Sequence, residues 1–523
     1  MFVRISIILS LITSIIVAQT KQDDTWKLSG RLNAYVQQVE VDGNGSASPT
    51  GTTHVEELNV NYGGGLGDGK AGIETRARTT NDDRVQKDNA ELLYFKGFYT
   101  DKKWNLELGD VAASLNPYIY SGSAKGAKLV YKSNEKKRTF HYSLLSGLKN
   151  ATWRDLYTED SGEKPAAYSG ALEIKYIHER SKEISLSVAG HKDDLSTGDT
   201  NTTVKGKEGY GFGLDGKWRF NKYLTLKGRG AVTNGTDDEK SGKDHVTKSA
   251  LYLKLLTRPF LKSLKSNFVY QRVDSGFISF GGTANDDKEQ LENSTTWTIS
   301  KEFRARMDLK GNRDNLDGAQ SEDRTLHYEA LLLTYKPSFV KRGDLTLRGT
   351  NKGVDGRGAQ RVTQTAGLNL NLRQKSGWRY GGGYDFSNVD DKNASTDTTT
   401  HVFKLLLGYK QKLSQDSSYR FSVKPSYLKI EGNQDKQGLN VDAGYIHDRK
   451  LSMDLAYRVN QIDYELSNNT LNSTYQLRGA YKLNQKTSDI IRILLEKRDV
   501  EVDNDDSKTY SEYRGKLSLV VNF

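Results

Sequence analysis

Apolar and polar residues alternate one for one along almost the whole chain, and this pattern constrains the fold more than any other feature. In "WKLSGRLNAYV", Trp26, Leu28, Leu32, Ala34 and Val36 fall on one face and Lys27, Ser29, Arg31 and Asn33 on the other. "GYGFGLDGKWRF" sets Tyr210, Phe212, Leu214, Trp218 and Phe220 against Asp215, Lys217 and Arg219. "KEFRARMDLK" sets Phe303, Ala305, Met307 and Leu309 against Arg304, Arg306, Asp308 and Lys310. A period of two is the signature of a strand with one apolar face. No segment beyond residue 20 approaches the ~20 continuous apolar residues of a spanning helix. The expected class is all-β.

The segments come in pairs whose connections alternate in length. Short ones include 133–137, 179–182, 221–222, 374–377 and 484–487. Long polar ones are 41–54, 149–167, 193–207, 235–246, 275–290, 312–324 and 388–399. The even-to-odd connections are the short ones. A soluble sandwich has no reason to gather its long loops at one end. A spanning sheet must close because hydrocarbon offers no partner for open backbone groups, and outer-membrane barrels have short periplasmic turns and longer external loops. The expectation is a single transmembrane antiparallel up-and-down β-barrel of about 26 strands, in a range of roughly 22–26. Trp26, Trp104, Trp218, Trp378, Tyr409 and Tyr419 lie near strand ends on apolar faces and suit interfacial girdles.

The first residues, "MFVRISIILSLITSIIVAQT", read as a secretory signal peptide over 1–18, with Arg4 before the apolar run and Ala18 at the cut, although Ile16 is not the usual small residue. A short lead (19–25) and the barrel (26–523) follow. The 523 residues include no Cys, which removes disulfides, thiolate metal sites and Cys nucleophiles. His54, His141, His178, His191, His245, His327, His401 and His447 are scattered without metal-ligand spacing. No GxSxG elbow appears. The glycines of "GGGLGDGKA" (63–71) nearly match a phosphate loop, but Ala71 stands where Ser or Thr is needed and a strand follows, so a turn explains them. Acidic pairs in the loops read as solvated rather than as calcium ligands. The expectation is no enzyme, metal or cofactor, and no nucleic-acid partner.

The chain ends in "YRGKLSLVVNF", an alternating strand carrying Tyr513, Leu517, Leu519, Val521 and a terminal Phe523. With the signal peptide and the hairpins, this resembles the bacterial outer-membrane β-barrel class over the whole mature length. The resemblance implies that the last strand is an assembly signal read by the barrel-assembly machinery, with lipid and lipopolysaccharide as surroundings. By strand count alone the chain is similar to Mtr/Pio-type barrels that sheathe multihaem cytochromes, and to the lipopolysaccharide-export barrel. Strand one begins too soon after residue 18 for a TonB-dependent plug domain or periplasmic docking domains. The terminal strand is expected to pair with strand one.

Charge carries the functional expectation. The formal net charge is +11 while many of the long loops are acidic, so the basic excess falls on the faces opposite the apolar ones. Arg31, Arg76, Lys128, Lys227, Arg229, Arg304, Arg306, Lys404, Arg420, Lys424 and Arg478 are the candidate pore-lining residues. A basic wall selects anions, although such side chains also snorkel to lipid phosphates or pair across strands. About 26 strands enclose a cylinder of order 50 Å across. A lumen that wide must be flattened, filled by loops or filled by a partner. The stretch "NPYIYSG" (116–122) breaks the pattern and suits either an inward constriction or a loop over the rim. The leading function is a porin-like channel for passive, anion-leaning diffusion, constricted by loops such as 112–125. Alternatives are a sheath for a multihaem cytochrome or export component, and a conduit for an anionic polysaccharide.

Overall fold

In the computed structural model the chain is one closed antiparallel barrel of 26 strands, from β1 (Trp26–Gly43) to β26 (Tyr510–Asn522). The structure describes residues 26–43, 50–85, 89–135, 137–149, 153, 166–179, 181–194, 206–237, 244–258, 263–279, 287–318, 320–338, 342–465, 467–483 and 488–523. The signal-peptide reading over 1–18 and the lead over 19–25 lie outside them. No helix occurs among the described residues.

Closure is made by the two ends of the chain. β1 pairs with β26 from Arg31↔Asn522 to Gly43↔Tyr510. The ladder continues one step further. The Phe523 N–H donates to the Gly30 carbonyl at 3.0 Å, and the Gly30 N–H donates back at 2.7 Å. A Cβ added to Gly30 would lie 2.4 Å from the Phe523 ring, so the terminal ring lies over a position that only glycine leaves open. Leu519 stands opposite Ala34 and Val521 opposite Leu32. Tyr513 and Leu517 are exposed on the same face.

The alternation becomes two faces of one wall. On β10 (Glu208–Arg219), Tyr210, Phe212 and Leu214 are exposed while Gly211 and Gly213 between them are buried. Leu251, Leu253, Leu405, Leu455 and Leu495 continue the exposed apolar surface around the barrel. Apolar surface on this scale is foreign to a monomer in water. Such an outward belt is what a barrel solvated by hydrocarbon presents.

Connection lengths follow the expected asymmetry over the first sixteen strands. The odd-to-even connections include 150–166, 194–207 and 274–287, against 67–68, 101–103 and 179–181 on the other side. From β17 (Arg342–Gly356) onward the asymmetry disappears, with 357–358 and 431–433 on the formerly long side. The loop expected over 388–399 is mostly strand. β19 (Trp378–Asp391) and β20 (Thr396–Lys412) pair to Asp391↔Thr396, leaving 392–395 as the turn. Polar composition misled here. β-branched threonines fit a ladder well, and the Thr399 hydroxyl donates to the Asn388 side chain at 3.2 Å. The glycines of 63–71 end one strand and start the next around a turn at 67–68.

Candidate functional site

Part of the wall folds inward. β4 (Ala90–Thr100) pairs with β5 (Trp104–Ser114) only from Lys96↔Gly109 to Thr100↔Asn105. Beyond Gly109, β5 keeps its other neighbour, β6 (Ser121–Asn134), as far as Ser114↔Ser121. β6 in turn meets β7 (Arg138–Lys149) only from Lys125 onward. Residues 110–124 are therefore a two-stranded arm detached from both flanking strands. Gly109 supplies the bend at φ +98°, where a Cβ would sit 2.3 Å from the Phe95 carbonyl oxygen.

Asp110 holds the hinge. Its carboxylate accepts the Phe95 N–H at 2.7 Å, which replaces the ladder bond lost from β4, and the Trp153 indole N–H at 2.7 Å. It is also ion-paired with Lys125 across the arm. The Trp153 ring stands edge-on to Phe95 at 5.8 Å, with the Lys125 ammonium 5.0 Å from its centre.

The arm's tip, 115–120, packs on the inner wall of strands far away in sequence. Asn116 donates to the Gly230 carbonyl at 3.0 Å and caps its own turn, accepting the Tyr118 N–H at 2.9 Å. The Ser279 hydroxyl donates to the Tyr118 carbonyl at 2.8 Å, and Phe277 meets the Tyr118 ring edge-on at 6.2 Å. Val111, Leu115, Tyr118, Ile119 and Tyr120 form one buried cluster with Leu145, Ala171, Ala189, Ala231, Ala250 and Val273. These wall residues are mostly small, and they leave a shelf for the tip. Gly211 and Gly213 complete it, since a Cβ there would lie 2.9 Å from Ile119 and 2.7 Å from Asn116. Burial of Ile119 and the tyrosines stabilises the docked arm by about 1.5–3 kcal/mol for each large side chain. It also pushes the Tyr118 and Tyr120 hydroxyls up to about 12. Of the two arrangements open for "NPYIYSG", the chain adopts the inward one. The wall glycines opposite it were the missed sequence signal.

The candidate basic residues are distributed around this lumen on the faces opposite the apolar belt. Several are neutralised across or along strands. Lys128 pairs with Glu107 at 3.1 Å, Arg229 with Asp215 at 3.0 Å and Arg306 with Asp308 at 2.8 Å. Arg420 pairs with Asp454 at 2.7 Å and Lys424 with Asp442 at 2.5 Å. Arg31 donates to Asn33 at 2.8 Å and Arg478 to Gln476 at 2.6 Å. Arg76, Lys227, Arg304 and Lys404 make no ion pair among the described residues. The structure brings two groups together. Arg420, Lys424 and Arg478 line a cavity of 470 Å³ that also contains Asp442 and Asp454. Lys227 and Arg304 line a larger one, 1050 Å³, that no Asp or Glu lines.

A further polar set escaped the sequence reading because its members sit on adjacent strands. Ser169 on β8 (Ala167–His178) lies 3.0 Å from His191 Nδ1 on β9 (Lys182–Asp193), and His191 Nε2 lies 2.9 Å from Asp193. The second Asp193 oxygen accepts the Lys207 N–H at 2.8 Å. The order matches a nucleophile chain, but Ser169 is only 5% exposed, so its hydroxyl is covered. Among the described residues no group of His, Asp and Glu is placed to hold a metal ion.

No protein-family model matches the chain, and no curated protein matches it by sequence. Solved structures with a similar fold include the P pilus usher (PapC) translocation pore, at 12% identity and TM-score 0.40 over 94% of this chain and 99% of that one. The siderophore receptor PirA from Pseudomonas aeruginosa is similar at 9% identity and TM-score 0.39, over 96% of this chain and 81% of that one. A BenF-like porin from Pseudomonas fluorescens Pf-5 is similar at 8% identity and TM-score 0.32, over 95% and 98%.

Proposed function

We propose that this barrel is a bacterial outer-membrane channel for passive, anion-leaning diffusion of small solutes, with the arm 110–124 as its constriction. The observation that carries the reading is the docking of the tip on Gly211 and Gly213, inside the wall. A barrel of 26 strands that was open throughout would breach the permeability barrier, and an internal arm narrows it. The outward apolar belt supports the membrane setting. The anion preference rests on Arg76, Lys227, Arg304 and Lys404, whose charge no described carboxylate cancels by ion pairing. The arm also occupies lumen that a sheathed cytochrome or a threaded polysaccharide would need.

Planar-bilayer recording of the purified barrel under a potassium chloride gradient tests this. Stable conductance with a reversal potential of anion sign is expected, and a larger conductance after deletion of 115–120. A folded barrel that never conducts, or one that prefers cations, overturns it.

A further inference from the structure

The inner wall of β10 to β15 (Phe303–Arg313), toward the short-turn end, concentrates positive charge in an arrangement that costs stability. Lys217 on β10 stands directly opposite Lys227 on β11 (Leu224–Thr236), and Lys227 directly opposite Lys254 on β12 (Val246–Thr257). Like charges in register repel. The one carboxylate in the row is Glu183, at its edge. It pairs with Lys217 at 2.6 Å and is shared with Lys175 at 3.2 Å. Lys227 and Lys254 have no ion-pair partner among the described residues. Below the row, Lys227 shares the 1050 Å³ cavity with Arg219, Arg258, Lys265 and Arg304.

Lys217 and Lys222 complete its cations, and most of the other lining residues are neutral hydrogen-bonding ones such as Asn267, Ser294 and Thr296. Its smaller counterpart near β21 (Ser418–Ile430) also gathers cations, but there Asp442 and Asp454 bond Lys424 and Arg420. The two cavities differ in having or lacking their own counter-charge. A wall that leaves a cationic row uncompensated breaks a local rule that its neighbour keeps, and such breaches mark sites of use.

We propose that this cavity binds solutes bearing phosphate groups with several negative charges. One negative charge would leave most of the cluster uncompensated, so the fitting ligand is multiply charged. Arg forks and Lys point charges bind phosphate oxygens. The neutral hydroxyls and amides suit the polar body of a phosphorylated sugar or an oligophosphate. This deepens the channel reading, because solute reaches the cavity through the lumen.

The test uses the full-length barrel purified in detergent, with tripolyphosphate and acetate as probes in titration calorimetry. Tripolyphosphate should bind and acetate should not compete at equal concentration. The double variant Lys227→Gln, Arg304→Gln should weaken binding at least tenfold, about 1.4 kcal/mol, while keeping the gel shift on heating that marks a folded barrel. Equal binding of both anions, or unchanged affinity in the folded variant, overturns the proposal. So does capture of poly-glutamate in place of tripolyphosphate, which would mark a docking face for an acidic protein. Calorimetry needs no current, so a non-conducting barrel would sink the channel reading and leave this result standing.

Discussion

Gly213 and Asn116 meet across the lumen with no room for another carbon between them: a Cβ on the glycine would lie 2.7 Å from the asparagine Cβ. The wall is thus cut to fit the tip. Gly213→Leu should expel the tip from its shelf, since overpacking costs about 1–3 kcal/mol when nothing gives. The arm is the part that can give. The expected result is a folded barrel with larger single-channel conductance, and unchanged conductance would mean the arm does not constrict flow.

Removing Asp110 strikes the hinge rather than the shelf. Asp110→Ala strands the Lys125 ammonium, the Trp153 indole and the Phe95 amide together. Breaking a buried ion pair this way costs about 3 kcal/mol or more. Current through the variant should flicker between levels, and Lys125 should become a trypsin site in the folded barrel.

Alkali should reveal the docked tip. Tyr118 and Tyr120 lie in the lumen connection, and burial raises both hydroxyls from the usual 10 to about 12. An undocked arm releases these protons at lower pH than the docked one. Docking is therefore fully stable below about pH 10 and weakens progressively between about 10 and 12. Ultraviolet titration should show a late-ionising class of tyrosines that disappears in Gly213→Leu.

The Ser169–His191–Asp193 chain should behave as part of the wall. A fluorophosphonate probe should leave Ser169 unlabelled, whereas His191→Ala should lower the melting temperature by removing a buried partner of both neighbours, at about 1–3 kcal/mol. Labelling of Ser169 would reopen the question of chemistry there.

How far this was readable beforehand depends on the range of the signal. Period two placed Phe212 and Leu214 outward, and "YRGKLSLVVNF" announced closure, because both are local patterns. The inward arm was only half legible. "NPYIYSG" looked unlike its surroundings, but its docking surface is built from Gly211, Gly213, Ala231 and Ala250, which are distant in sequence and bland in type. Charge was read by face and not by partner, so neutralised Lys424 and unpaired Lys227 looked alike until the registers were known. The polar run at 388–399 failed for the opposite reason, as a strand with no apolar face carries no period to read.

The seam between Gly30 and Phe523 also sets an order of events. It joins the first described strand to Phe523, the longest sequence separation among the paired residues described. Such a contact is the slowest kind to form, because the loop it closes runs through the whole sheet. Until then the sheet has two bare edges that would pair with any strand they met. An open ribbon is therefore the last state before closure, and its edges stay exposed until Phe523 reaches Gly30.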